Sequence, residues 1–384
     1  MIAEKYLKEF DYFGDAAVFT ACSVSSPPKS TLALARGFLD ECASSYGNVV
    51  FDHYWSRRDE ARSHIATMVG AEADDIAFTM STTEGNNILA SGLALAPGDS
   101  VVVVDMEYPG TVIPWIQKQS GGVRLNIVRS VDGCVRTEDV LAAMDERTRV
   151  VALSWVQSHS GHKLDCAAIG RECRRRGIWF TVDAIQGLGR NVMDVEEYQI
   201  DFLSAAGFKG LLGTLGAGFV YCRKALLDEL KPLGVGEENL AVEYEERQLF
   251  SGRPLELRQD SKKLEFGSLN TYGIMVMDQS VQLLLDIGID TIEKQVRELE
   301  RYYRKAIMDS GLPVRFLGSD QEAGWSGNIS LTCDASRTGM ICQRFAKDQI
   351  YATIKDGYVR IGIHFYNTTE QLDRVVRALK AVLG

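Results

Sequence analysis

Short apolar runs alternate with longer amphipathic stretches through the middle of the chain, between residues 76 and 222. Apolar positions three or four residues apart indicate helices, and short unbroken apolar runs indicate strands that are buried on both faces. The alternation predicts a mostly parallel sheet covered by helices on both sides. We expect strands at 76–79, 100–105, 124–129, 150–155, 178–182, 202–205 and 216–221. We expect helices at 32–45, 60–69, 84–95, 112–119, 138–144 and 167–176.

The pattern changes in the last third of the chain, where strands are fewer and helices longer. The elements expected there are a helical region at 271–309, a strand at 327–332, a helix at 340–347, two short strands within 350–361 and a helix at 369–382. This order is typical of a small α+β domain. Since 384 residues exceed the size at which one core keeps growing, we predict a large domain over 1–265 and a small one over 266–384.

Composition narrows the class of protein. The hydrophobic fraction of 46% and the charged fraction of 24% are ordinary for a globular chain. A formal net charge of -10 argues against nucleic acid or an anionic membrane surface as the main partner. The charged N-terminus has no apolar signal core, and we expect a cytoplasmic protein. Eight scattered cysteines without a close CxxC pair disfavour a zinc site or a disulfide framework.

Two polar residues that follow predicted strands indicate the chemistry. Asp183 ends one apolar run, and Lys209 follows the next run 26 positions later. A lysine amine can form a Schiff base with an aldehyde cofactor, and a carboxylate can keep the nitrogen of the cofactor's pyridine ring protonated. Each residue alone is more often a solvated side chain or a helix cap. Together, at one edge of a parallel sheet, they predict a pyridoxal phosphate (PLP) site.

Other strand ends supply further candidates for binding this cofactor. Thr82 and Thr83 lie in a turn that opens a helix, where free N–H groups and hydroxyls can hold a phosphate. Tyr108 follows the next strand and can stack on the cofactor ring, although packing explains a lone tyrosine equally well. Gln186 and Ser158 follow other strands and can contact the ring oxygen.

Arg360 lies in an otherwise apolar strand near the C-terminus. A buried arginine needs a partner, and the carboxylate of an amino-acid substrate offers a bidentate one. An ion pair inside the protein explains this residue about as well.

These residues together resemble the class V aminotransferase family of fold-type I PLP enzymes. The family includes cysteine desulfurases, selenocysteine lyase, isopenicillin N epimerase-like proteins and cysteine C–S lyases. The similarity runs from Tyr46-Gly47-Asn48 through Trp55 and Arg62 to Tyr366-Asn367-Thr368. It implies an α/β fold with a mostly parallel seven-stranded sheet between helices and a small α+β C-terminal domain.

The resemblance also implies roles for individual residues. Thr83 and Thr82 bind the cofactor phosphate, Tyr108 takes the ring-stacking place, and Arg360 holds the substrate α-carboxylate. Ser268, in a Gly-Ser pair, matches the position that reaches the phosphate bound to the partner subunit. A homodimer with shared active sites and a small amino-acid substrate follow from the resemblance.

The chain departs from the desulfurase pattern at several positions. Many desulfurases have a histidine at the stacking place, a serine three residues before the lysine and a histidine just before it. This chain has Tyr108, Ala206 and Phe208 there. In addition, no cysteine-bearing loop is expected within 342–360. A persulfide-forming desulfurase needs a mobile thiolate, and that reaction is therefore disfavoured.

The residues that these PLP enzymes share do not determine which reaction follows removal of the Cα proton. Transamination is our first expectation, because it needs only Lys209 to move the proton. A β-eliminating C–S lyase on a cysteine-derived substrate is the nearest alternative. An epimerase follows, and it needs Tyr108 or His159 as a second base. A non-catalytic partner protein with this fold is the remaining alternative.

Overall fold

The computed structural model describes residues 2–44, 54–242, 250, 252, 254–355 and 357–384. The motif Tyr46-Gly47-Asn48, at one end of the family resemblance, lies outside these residues. In the described part of the chain, no helix is both long and apolar enough to cross a membrane.

The regular elements follow the predicted order. The strands are β1 (Ala17–Val18), β2 (Ile76–Thr79), β3 (Ser100–Val104), β4 (Arg124–Val128), β5 (Thr148–Ser154), β6 (Trp179–Asp183), β7 (Phe202–Ala206), β8 (Gly218–Cys222), β9 (Arg315–Phe316), β10 (Asn328–Thr332), β11 (Ile350–Tyr351), β12 (Thr353–Lys355) and β13 (Tyr358–Gly362). The α-helices are α1 (Glu4–Leu7), α2 (Lys29–Ser44), α3 (Arg58–Val69), α4 (Thr82–Gly92), α5 (Pro109–Lys118), α6 (Thr137–Ala142), α7 (Cys166–Arg176), α8 (Lys224–Leu227), α9 (Thr271–Ile287), α10 (Ile289–Ser310), α11 (Thr338–Lys347) and α12 (Thr369–Leu383).

A seven-stranded sheet lies at the centre, in the order β2-β8-β7-β6-β5-β3-β4. Strand β8 is antiparallel to both of its neighbours, and the other pairs are parallel. Both faces of the sheet are buried: Val102 and Val104 belong to one apolar cluster, Val101 and Val103 to another. The predicted mostly parallel sheet between helices is confirmed.

Local sequence explains several helix boundaries. The hydroxyl of Ser81 accepts a hydrogen bond from the backbone N–H of Glu84 at 3.1 Å and caps α4. The carboxylate of Asp165 accepts from the N–H of Ala168 at 2.9 Å and caps α7. Each cap satisfies an N–H group that the helix leaves free. Helix α7 ends at Gly177, whose φ of 67° lies in the left-handed region that glycine adopts without strain.

The last third of the chain differs from the prediction in two places. The helical region at 271–309 is two helices, α9 and α10, because Gly288 between them has φ 88° and ψ 120° and breaks the helix. Three strands, not two, occupy 350–361. Strands β12, β13, β10 and β9 form an antiparallel sheet in that order, and β11 pairs with β1.

The N-terminal segment packs on the C-terminal part of the chain. The N–H of Gly362 donates to the carbonyl of Phe19 at 3.0 Å, and the ring of Phe10 stacks on Tyr366 with centroids 4.2 Å apart. A Cβ atom at Gly362 would lie 2.6 Å from the backbone nitrogen of Cys22, so only glycine allows this approach. Cys22 is thereby held against β13, the strand that carries Arg360.

A buried ion pair joins α3 to the edge of the central sheet. Arg62 Nη1 lies 2.7 Å from Glu265 Oε1, and both side chains are almost fully buried. The same carboxylate oxygen accepts from the N–H of Phe78 on β2 at 2.7 Å, and Arg62 Nη1 also donates to the carbonyl of Ile76 at 2.6 Å. Arg62 Nε also lies 3.4 Å from Asp59, but that carboxylate is mostly exposed, so removing Glu265 takes away the buried counterion of Arg62.

We expect the substitution Glu265→Gln to lower the free energy of unfolding by about 3 kcal/mol, because the buried Arg62 then keeps only its longer contact with the exposed Asp59 among the described carboxylates. Urea denaturation of the apo-protein measures this change. Asp132→Asn is the matched control, since Asp132 pairs with Arg315 at 3.3 Å on the surface. The control should cost about 1 kcal/mol or less. Equal losses in the two variants would contradict the assignment.

Candidate active site

The predicted site residues meet at the carboxyl edge of the central sheet. Asp183 ends β6 and Lys209 follows β7, while Thr82 and Tyr108 follow β2 and β3. Parallel strands bring their carboxyl ends to one edge, which explains why residues far apart in sequence come together. Lys209 Nζ lies 5.6 Å from the centroid of the Tyr108 ring.

Lys209 is only 8% exposed and lies in the turn after β7. Burial, which disfavours the charged amine, lowers the pKa of Lys209 to about 8. The carboxylate of Asp183 opposes this shift, and the guanidinium of Arg360 adds to it. With this pKa about a tenth of the amine is free at pH 7 and about half at pH 8, and the free amine is the form that acts as a nucleophile or a base.

Asp183 is buried between two hydrogen-bond donors. Thr111 Oγ1 donates to Asp183 Oδ2 at 2.7 Å, and the N–H of Ile185 donates to Oδ1 at 3.1 Å. Burial raises the pKa of Asp183, while these two hydrogen bonds and the charge of Lys209 act in the opposite direction. A buried carboxylate of this kind gains stability from a nearby cation, and a protonated pyridine nitrogen supplies one.

The start of α4 offers an anion site. Thr82 Oγ1 is buried and has no hydrogen-bond partner, which is costly unless a ligand accepts its proton. Thr83 is exposed, and its hydroxyl faces Gly110, where a Cβ atom would lie only 2.4 Å away. An orphaned hydroxyl in the first turn of a helix and a glycine that keeps the space open fit a phosphate. The residues present thus fit pyridoxal phosphate.

Arg360 is 9% exposed and faces the same edge from β13. Its Nη1 donates to the carbonyl of Ser158 and its Nη2 to the carbonyl of Cys22 at 3.3 Å, while Nε is buried without a partner. Within the described residues no carboxylate pairs with it, so the internal ion pair considered from the sequence is not found there. The guanidinium retains the capacity to bind an incoming carboxylate.

Gln186 takes part in a network that joins the two sheets. Its Nε2 donates to the carbonyl of Cys22 at 3.1 Å, and its Oε1 accepts from Asn328 Nδ2 at 2.9 Å. Arg190, which is fully buried, donates from Nη1 to Asn328 Oδ1 at 2.7 Å. One N–H of the Gln186 amide is thus already used, and the other is left to contact a cofactor.

Two further candidates lie at the margin of this group. Ser268 is exposed and follows Gly267, which has φ 72°. Among the described residues, no hydrogen bond joins Ser268 to the other candidates. His159 is exposed, and its ring packs on Tyr358 with centroids 4.9 Å apart. It lies beside Arg360, on the small-sheet side of the site.

Sequence reasoning missed several residues of the site. Thr111 orients Asp183, Arg190 fixes Gln186 and Asn328, and Glu107 lies at the end of β3 beside Tyr108. A charged residue placed directly after an apolar strand is the signal that could have found Glu107. No sequence signal marked Thr111, because its partner is a residue 72 positions away.

Comparisons with curated proteins place this site in a family. The sequence model of the family described as Aminotransferase class-V matches residues 42–336. The chain is 28% identical to a probable cysteine desulfurase of Methanothermobacter thermautotrophicus, over 100% of this chain and 99% of that protein. It is 23% identical to an uncharacterized aminotransferase, YcbU, of Bacillus subtilis, over 99% of this chain and 98% of that protein.

Solved structures share the fold. A cysteine desulfurase from Thermococcus onnurineus NA1 matches with a TM-score of 0.88 at 21% identity, over 100% of this chain and 98% of that one. A cystine C–S lyase in complex with its product cysteine persulfide matches with a TM-score of 0.88 at 19% identity, over 98% of this chain and 100% of that one. Since the family match spans well over half of the sequence, the chain belongs to the class V aminotransferase family and is a pyridoxal phosphate-dependent enzyme of fold type I.

Proposed function

We propose that the protein is a C–S lyase that acts on a cysteine-derived α-amino acid. Arg360 is the observation that supports an α-amino acid as substrate. Its buried guanidinium has no carboxylate partner in the described residues, and it lies close enough to Lys209 to lower the pKa of that amine. A substrate α-carboxylate supplies the missing partner, and the substrate amino group then lies on the Lys209 side.

The bond that is cleaved is inferred from the relatives. Several curated relatives are named cysteine desulfurases, and one solved structure of the same fold is a cystine C–S lyase. Both names describe cleavage of a carbon–sulfur bond in a cysteine compound. They favour our alternative, C–S lysis, over transamination, which was our first expectation from the sequence. Two relatives named aminotransferases make transamination the competing outcome of the test.

The cysteines favour elimination over persulfide transfer. Cys342 is exposed, but it lies within helix α11, where the backbone is held by helical hydrogen bonds. Cys333 follows β10, and burial raises the pKa of its thiol. A thiolate that accepts sulfur must be ionised and able to reach the substrate. Neither position meets both conditions, so we propose that sulfur leaves with the thiol product.

Each residue of the site has a role in this proposal. When bound, pyridoxal phosphate supplies an electron sink for the substrate Cα. Lys209 accepts the Cα proton as the free amine, a form that its lowered pKa makes more abundant near neutral pH than in an exposed lysine. Asp183 holds a proton at the ring nitrogen by its negative charge. Arg360 fixes the carboxylate and so orients the Cα–H bond toward Lys209.

The remaining candidates are assigned to cofactor binding. Thr82 and Thr83 hold the phosphate, and Tyr108 covers the ring. Gln186 and Ser158 lie where they can contact the ring oxygen, Gln186 through its second amide N–H. The orphaned hydroxyl of Thr82 is the strongest support for this set.

We further propose a homodimer with shared active sites, in the cytoplasm, with the chain divided into domains at about residue 265. Exposed large apolar side chains support the dimer, because a partner subunit would remove them from water. They include Met80, Leu215 and Phe250, which are 62%, 64% and 90% exposed, and the half-exposed Tyr108. Ser268, exposed in its own chain, then reaches the phosphate held by the other subunit.

Product analysis tests the reaction. With cystine and S-alkyl cysteines, we expect equal amounts of pyruvate, ammonia and thiol or persulfide. A keto acid without ammonia indicates transamination, and alanine with protein-bound persulfide indicates desulfuration; either result overturns C–S lysis.

Arg360→Gln should lower kcat/KM by about 10- to 100-fold, since charge-assisted hydrogen bonds contribute about 1.5–3 kcal/mol.

The state of Lys209 is tested by cofactor uptake. We expect the rate at which the apo-protein takes up pyridoxal phosphate to rise with pH about a midpoint near 8, because only the free amine attacks the aldehyde. Absorbance of the lysine-linked cofactor measures this rate, and Lys209→Ala should show no band that borohydride can trap. Asp183→Asn should lower the midpoint, because the Asp183 carboxylate raises the pKa of Lys209. A midpoint near the pKa of free lysine would contradict the conclusion that burial lowers the pKa of Lys209.

Subunit mixing tests the shared site. Lys209→Ala and Ser268→Asp are each expected to be inactive, the second because its new charge repels the phosphate. Mixed dimers contain one site with both substitutions and one site with neither, so a mixture should recover about a quarter of wild-type activity. A mixture that stays inactive while the proteins exchange subunits would place Ser268 in its own chain's site.

A further inference from the structure

Glu107 is a carboxylate at the site that the proposed reaction does not use. It follows β3 and directly precedes Tyr108. The N–H of Ser154 donates to its Oε1 at 2.8 Å, and Gln157 Nε2 donates to the same oxygen at 2.9 Å. The hydroxyl of Ser154 donates to Oε2. Three donors from the end of β5 thus converge on one carboxylate.

This arrangement anchors one side of the segment that carries Tyr108. The other side is anchored by Thr111, whose hydroxyl donates to Asp183 at 2.7 Å. Between the two anchors, Tyr108 occupies the N-cap position of α5, and its side chain is 52% exposed. Glu107 is therefore the contact that ties the base of this ring to β5.

We infer that Glu107 is a positioning residue that holds Tyr108 over the cofactor ring and makes this hold depend on the protonation of one carboxylate. The inference rests on cofactor binding alone and is independent of which bond the enzyme cleaves. Ser154 pairs directly with Asp183 across β5 and β6, so the carboxylate also lies next to the group that faces the ring nitrogen.

The hydrogen bonds explain why the proton matters. An ionised Glu107 accepts from all three donors. A protonated Glu107 must donate from one oxygen, and the Ser154 hydroxyl must then turn its own proton elsewhere. These three hydrogen bonds from Ser154 and Gln157 to Glu107 form a clamp, and the clamp is complete only when Glu107 is ionised. Loss of the proton also places a second negative charge beside Asp183.

The surroundings set the pH at which this change occurs. Burial raises the pKa of Glu107 to about 7, while the bonds from Ser154 and Gln157 lower it and the charge of Asp183 raises it. Asp183 is the charged group that faces it from β6. On the β3 side, Asp105 is held by the N–H of Ser130 at 3.0 Å and points toward β4. Tyr108 is the other titratable side chain on the segment.

The apo-protein provides a test that needs no activity. A carboxyl group with a raised pKa stabilises the fold at low pH, and this contribution is lost as pH rises through about 7. We expect the difference in Tm between wild type and Glu107→Gln to change with an inflection near pH 7. In Ser154→Ala the carboxylate remains but loses a hydrogen bond that lowers its pKa, so the inflection should move to higher pH.

The loaded enzyme supplies the second readout. Visible circular dichroism of the bound cofactor reports how firmly the ring is oriented. We expect the signal of wild type to rise through pH 7 as the clamp is completed, and that of Glu107→Gln to be weak at all pH values. Tyr108→Phe keeps the ring and the clamp, so it should retain the wild-type profile.

Two results would overturn the inference. One is a Tm difference without an inflection between pH 5 and 9, or an inflection that Ser154→Ala leaves in place. The other is a dichroism profile that is the same in Glu107→Gln and wild type. If Glu107→Gln does not fold, the difference in Tm between wild type and Ser154→Ala is measured against pH instead, and the absence of any change in it between pH 5 and 9 overturns the inference. Failure of C–S lysis leaves both readouts unaffected.

Discussion

The hydrogen bonds of Asn328 are the contact on which the geometry of the site depends. Asn328 opens β10 in the small sheet, and its amide joins Gln186 and Arg190 in the turn that follows β6 of the central sheet. Strand β13 pairs with β10, with Arg360 opposite Ser330, so this contact fixes where the guanidinium stands relative to Lys209. The hydrogen bond from Arg360 to the carbonyl of Ser158 reinforces this placement of the carboxylate-binding group beside the proton-accepting one.

Removal from water is the common cause of the electrostatics at this edge. It lowers the pKa of Lys209 to about 8, raises that of Asp183, and raises that of Glu107 to about 7. The same effect lowers the pKa of the buried Arg190 to about 10. The neighbours that further shift these pKa values come from other strands: Asp183 on β6 acts on Lys209 and Glu107, and Lys209 after β7 acts on Asp183. The chemistry is therefore a property of the assembled sheet edge and of no single motif.

Predictions from the sequence succeeded where local rules govern. The expected strand at 76–79 coincides with β2, and the expected helix at 167–176 begins one residue late, because apolar periodicity and an Asp165 cap define such elements locally. The break at Gly288 was missed, since glycine is tolerated in helices and only its φ of 88° reveals the turn. The third strand in 350–361 was missed because β11 pairs with β1, more than 300 residues away in sequence.

The amino-acid sequence by itself determined the order of strands and helices, the class of cofactor and the residues that follow the strands, because periodicity and strand-end position are local properties. Tertiary structure decided which of these residues have free hydrogen-bonding capacity. Gln186 was expected to face the cofactor, yet much of its amide is used by Cys22 and Asn328, while Arg360 and Thr82 keep unpaired atoms. Hydrogen-bond partners far apart in the chain are set by how two sheets and the N-terminal segment pack together, and that packing has no local signature.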